Sequence, residues 1–218
     1  MKKTIFLILT IITLVSCKQT NNNENTNYSK LSKFYKDTTF VEMIIYPDTA
    51  YNDLLYFFKG NEIDSNTFSL LSDKVTNSLP CTEGFYGNYS FKINNQYIGL
   101  ITRTPGEYSS TMISLWIYDI KNDSITNNIK LADVFGDAGA FETMNSYLFF
   151  DESNQLKAFT YSYFSYDHSV DEESDTTIEV SHNYFFTRIG FSSVDTISTD
   201  SIKLTEQFKS QIKKMACY

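Results

Sequence analysis

Few residues in this chain could do chemistry, and they are scattered. There are two histidines, His168 and His182, and three cysteines, Cys17, Cys81 and Cys217. His168 sits in an acidic stretch, Asp167 to Asp175, with Asp171, Glu172, Glu173 and Asp175. Imidazole with carboxylates suits a divalent ion, which makes His168, Asp167 and Asp171 candidate metal ligands. The competing reading is a solvated hairpin tip. Counted outward from the loop centre, His182 falls opposite about Tyr161, too far along the strand for one ion to take both histidines.

A second candidate is the loop Asp133-Val134-Phe135-Gly136-Asp137-Ala138-Gly139. Gly136 and Gly139, flanked by Asp133 and Asp137, mark backbone that needs an unusual φ or a close approach. The stretch lacks the glycine spacing of a phosphate cradle. It reads as a tight connection, or as the least generic place for a site. Paired carboxylates can hydrolyse glycosides without any linear motif, and Glu42, Glu107, Glu142 and Asp137 are available for that. There is no Gly-x-Ser-x-Gly elbow and no His-Glu-x-x-His motif, so no catalytic residue and no cofactor is predicted.

The elements that must carry these residues are mostly strands. Thr38 to Tyr46, Tyr89 to Ile93, Gln96 to Arg103, Thr111 to Ile120, Ile125 to Leu131, Leu156 to Tyr166 and Thr177 to Ile189 are rich in β-branched and aromatic residues. Turn chemistry at Asn94-Asn95, Pro105-Gly106 and Lys121 to Ser124 separates several of them. Leu54 to Phe58 reads as a hairpin arm turning through Lys59-Gly60-Asn61 into Glu62-Ile63. Trp116 to Asp119 with Asn122 is echoed by Leu148 to Asp151 with Asn154, which reads as one hairpin chemistry used twice. Phe68, Leu71, Val75 and Leu79 share a helical face, with Ser65 or Asn66 as cap, predicting a helix over 66–79. Leu204, Phe208, Ile212 and Met215 predict another over 203–215. The predicted fold is mainly β, an antiparallel sandwich or curved meander with two minor helices, the alternative being α+β.

Tyr and Phe are abundant, at 16 and 18, beside a single Trp. That composition fits an aromatic ligand platform or, more simply, many strands. The formal charge is −8, and it becomes −10 without residues 1–16, which hold Lys2 and Lys3 and no acid. An acidic balance disfavours nucleic acid and anionic membrane surfaces as partners.

The amino end has a pattern of its own. Lys2 and Lys3 precede an apolar run from Ile5 to Val15, broken only by Thr10 and Thr13. As a helix this run reaches ~17 Å, against a hydrocarbon core of ~30 Å, so it is an export signal rather than a span. It ends Leu14-Val15-Ser16-Cys17, which resembles the lipobox of bacterial lipoproteins. The resemblance covers residues 1–17. It implies cleavage after Ser16 and a diacylglycerol thioether on Cys17, hence a membrane attached through lipid. Lys18 to Lys30 is polar and reads as a tether, so the predicted organisation is signal peptide 1–16, lipidated Cys17 and tether 17–30, and one globular domain 31–218. Cys81 and Cys217 would then lie outside the cytoplasm and are candidates for a disulfide. The expected function is a non-catalytic binding or structural module of the cell envelope, periplasmic or on the surface. A carboxylate-dependent hydrolase such as a glycosidase, or an accessory subunit of an envelope complex, is the alternative.

Overall fold

The computed structural model describes residues 26–39, 41–47, 57–69, 84–106, 112–172 and 174–215. It is mainly β, with 53% of the described residues in strands and a few small helices. The strands are β1 (Lys36–Asp37), β2 (Glu42–Ile45), β3 (Asn61–Glu62), β4 (Tyr86–Lys92), β5 (Tyr97–Thr104), β6 (Met112–Asp119), β7 (Ser124–Asp137), β8 (Ala140–Phe150), β9 (Leu156–Asp167), β10 (Ile178–Ile189) and β11 (Val194–Ser198). From β4 to β11 they pair in chain order as an antiparallel meander, with β1 parallel to β4 at one side.

One strand folds the meander into two layers. β7 pairs with β6 from Ser124 to Ala132 and then with β8 from Asp133 to Asp137. Beside the second half of β8 its place is taken by β2, through Glu42–Ile45 against Phe149–Ser146. The two layers enclose the main core: Ile101, Ile113, Leu115 and Ile117 from one, Ile45, Leu148, Ala158 and Ile189 from the other. The predicted strand Thr38–Tyr46 is thus corrected to the shorter β2, Glu42–Ile45, with β1 just ahead of it at Lys36–Asp37. β1 joins the first layer and β2 the second, because this segment crosses between them.

Helices cover the outside of each layer. On the first, Leu100, Trp116 and Tyr118 lie under Leu31 and Tyr35 and under Phe68. Leu31 belongs to α1 (Asn27–Ser32), and Phe68 ends α2 (Ser65–Phe68), which Asp64 caps in place of Ser65 or Asn66. The remainder of the predicted 66–79 helix lies outside the described residues. α1 includes Asn27 to Lys30, which composition assigns to the tether; the amides of Asn27 and Tyr28 donate to the Asp123 carboxylate. On the second layer, Tyr147, Phe159 and Phe186 lie under Leu204, Phe208 and Met215. The predicted 203–215 helix is two helices, α3 (Ser201–Gln207) and α4 (Lys209–Met215), broken at Phe208 with φ −108° and ψ 22°. Residues 54–56 of the predicted hairpin are outside the described residues, and β3 pairs instead with Gly87 and Tyr86 of β4. Among the described residues, no helix is long and apolar enough to cross a membrane.

Candidate functional site: an open sheet end

The second layer runs on past the body. From Asp133 in β7, Ala140 in β8, Thr160 in β9 and back from Phe185 to Ile178 in β10, four strands continue as a ribbon. β6 no longer pairs with it. In β10 the residues Ile178 to Phe185 are exposed on both faces except at Ser181 and Tyr184.

The turns at the end of this ribbon join the two candidate sites of the sequence. Asp133, Gly136 and Asp137 are strand residues rather than loop residues, and the loop contracts to the two-residue turn Ala138-Gly139. Both turn residues have positive φ, +44° and +88°. The Gly139 carbonyl accepts from the Asp167 amide at 2.9 Å, so this turn packs on the acidic one. Asp137, Asp167, Asp171, Glu172, Asp175 and Glu179 thereby rim one end of the molecule.

The metal candidates do not converge. The Asp167 carboxylate accepts from the Ser169 amide, capping a one-turn 3₁₀ helix at His168–Val170, and hydrogen bonds from Ser169 lower its pKa. Asp171 accepts from the Tyr166 hydroxyl at 2.7 Å, a bond that raises the tyrosine's pKa. His168 Nε2 stands 3.8 Å from Glu179. His182 pairs with Tyr163 rather than Tyr161, four rungs from the Asp167–Ile178 pair, or about 14 Å. Among the described residues, no group of three His, Cys, Asp or Glu side chains could hold a metal ion.

The carboxylates offered for glycoside chemistry are mostly apart. Glu42 and Glu142 lie on opposite faces, seven residues of β8 apart in register, roughly 24 Å. Asp137 and Glu142 are diagonal neighbours on one face at the exposed turn, and Glu142 accepts from Ser162 at 3.3 Å. Ser210 and Lys213 have Ser-x-x-Lys spacing, but both are exposed on α4. Cys17, Cys81, Cys217, Glu107 and Glu173 lie outside the described residues.

The ribbon carries a row of rings that the linear pattern did not single out. On the face shared with the helices, the Phe159–Phe186 pair is followed by Tyr161–Tyr184 and then Tyr163–His182, with Phe141 beside Tyr163. The Tyr161 hydroxyl and His182 Nδ1 are 2.9 Å apart, and their rings stack at 6.0 Å. The alternation of rings at 159, 161 and 163 and at 182, 184 and 186 was the available signal. It is clean in β9, where Thr160 and Ser162 intervene, and is interrupted in β10 by the ring of Phe185.

A recess of about 320 Å³ lies elsewhere, between β2 and α4, with Glu42, Tyr46, Phe57, Tyr147, Gln211 and Lys214 around it. Burial and a hydrogen bond to Glu42 push the Tyr147 phenol up to about 12, so Tyr147 stays protonated and Glu42 is its acceptor. No protein-family model matches the chain, and neither does any curated protein or solved structure.

Proposed function

We propose that this protein is a lipid-anchored module of a bacterial cell envelope that binds a macromolecular partner, without catalysis, through the open end of β7 to β10. The observation that carries the binding reading is the ribbon itself. Phe141, Ile178, Val180 and Phe185 are 43%, 61%, 48% and 38% exposed there, beside the tyrosine rows. Four such apolar side chains on one sheet end, rimmed by acids, have the make-up of an interaction surface rather than of scattered surface residues. The anchor rests on Leu14-Val15-Ser16-Cys17 and the short apolar run before it.

The test has two arms in a producing cell. Labelled palmitate is expected in the wild-type chain, and Cys17→Ser is expected to lose the label and leave the membrane fraction. A photo-crosslinker at Tyr163 is expected to capture a partner that one at Lys121, on the opposite layer, does not. Equal labelling of both chains would remove the anchor, and equal capture from both positions would remove the ribbon as the binding surface.

A further inference from the structure

We propose that the free edge of β10, from Ile178 to Phe185, takes up an extended cationic segment of a partner polypeptide as one further strand of the sheet. This rests on the ribbon being the binding surface and names its partner class.

The edge is open among the described residues. β9 flanks β10 along its whole length on one side, but on the other β11 pairs only with Phe186 to Ile189. The chain leaves the edge at Ser198, and Asp200 caps α3, which turns it onto the ring-bearing face. About 27 Å of strand therefore remains, with alternate backbone N–H and C=O groups directed outward. Proteins ordinarily blunt such an edge with lysine, proline, a bulge or a covering loop. Ile-Glu-Val-Ser-His-Asn-Tyr-Phe contains no lysine, arginine or proline. The one register shift of this strand falls between Phe186 and Thr187, beyond the open part.

Side chains select the occupant. Ile178 and Val180 on one face and Phe185 on the other are exposed and available to the alternating side chains of an added strand. Around the start of the edge stand Asp167, Asp171, Glu172, Asp175 and Glu179, with His168 the basic group among them. A second copy of this chain would set those acids against their equivalents, whereas lysines or arginines on an incoming strand would oppose them. The rings of Tyr161, Tyr184 and His182 pack against one another at 5.4 to 6.0 Å.

The test uses the full-length lipoprotein in detergent and labelled peptides of about ten residues, enough to cover the open edge. One alternates Lys and Val, a second replaces Lys by Glu, and a third is the Lys peptide N-methylated at alternate residues. Fluorescence anisotropy is expected to report binding of the Lys peptide. Binding should be weaker by about tenfold or more for the other two, and for the protein carrying Asp171→Asn, Glu172→Gln and Glu179→Gln together. An unchanged melting temperature in that variant shows that the loss is not unfolding. Equal binding of the N-methylated peptide overturns strand addition, equal binding of the Glu peptide overturns the cationic partner, and a dimer cross-linked through β10 gives the edge to a second copy. Failure of the Lys peptide while Tyr163 still crosslinks a partner overturns this proposal and leaves the ribbon as the binding surface. Failure of both overturns the two readings together.

Discussion

Single side chains decide much of the local geometry. Asp119 Oδ1 accepts from the amides of Lys121 and Asn122, and Asp151 Oδ1 accepts from those of Ser153 and Gln155. Asp123 and Asn154 take positive φ, +49° and +57°, in the two turns. The echo in the sequence is therefore one turn device used twice, an aspartate folding the backbone over its own carboxylate. Gly99 is required for a different reason. It lies opposite Phe91, and a Cβ there would meet the ring at 2.3 to 2.7 Å, in a core where Phe91 is 3% exposed. Gly99→Ala is expected to cost about 1–3 kcal/mol, because a buried ring has no low-energy place to move. Urea unfolding followed by the fluorescence of Trp116 measures this, and a change below a few tenths of a kcal/mol would mean that the ring yields freely.

At the scale of elements, β6 and the β7–β8 hairpin are the informative ones. In β6, Ile113, Leu115 and Ile117 face the other layer, while Trp116 and Tyr118 lie under the helices. Its run of apolar residues, which reads as a strong strand, is the mark of burial on both faces. The hairpin turn is less well matched to its backbone. Ala138 holds φ +44° ahead of Gly139, a geometry that favours Asn-Gly. An alanine there carries roughly 1 kcal/mol of steric cost. Ala138→Asn is therefore expected to raise stability by about 0.5–1 kcal/mol, seen as a higher melting temperature with unchanged circular dichroism. A lower melting temperature would show that the turn is held by its packing on Val170 and not by its own backbone preference.

For the whole molecule, charge and burial set a pH window. Asp151, held by Lys157, and Asp64 and Asp200, held by the amides of Thr67 and Lys203, have lowered pKa values, as do Asp167 and Asp175 at the ribbon tip. A depressed folded value contributes stability above the unfolded value near 4, and that contribution is lost as pH falls through the folded values. Burial pushes the phenols of Tyr35, Tyr118 and Tyr147 up. Their contribution is complete below about 10 and is lost above it, where the unfolded chain ionises first. The melting temperature is expected to be flat between about pH 5 and 9 and to fall on both sides. A value at pH 11 equal to that at pH 8 would contradict the buried phenols.

The sequence by itself determined β4 to β7, β9 and β10, the turns it marked between them and the amphipathic carboxyl end, but not β1, β11 or most of β8. These depend on residues within a few positions of one another, through backbone preference and local hydrogen bonds. The expected export signal and the lipobox resemblance are readings of the same local kind. Only the tertiary structure decided that β7 belongs to two layers, that the segment around Thr38 crosses between them and that Phe208 breaks the last helix, because each follows from packing against distant chain. The same holds for the candidate site. Asp133 to Gly139 and Asp167 to Asp171 are separate stretches of sequence, joined at one end by the pairing of Ala140 with Tyr166. Among the described residues the edge of β10 is free because β11 stops at Ser198, a matter of how far a neighbouring strand extends, which no window of β10 records.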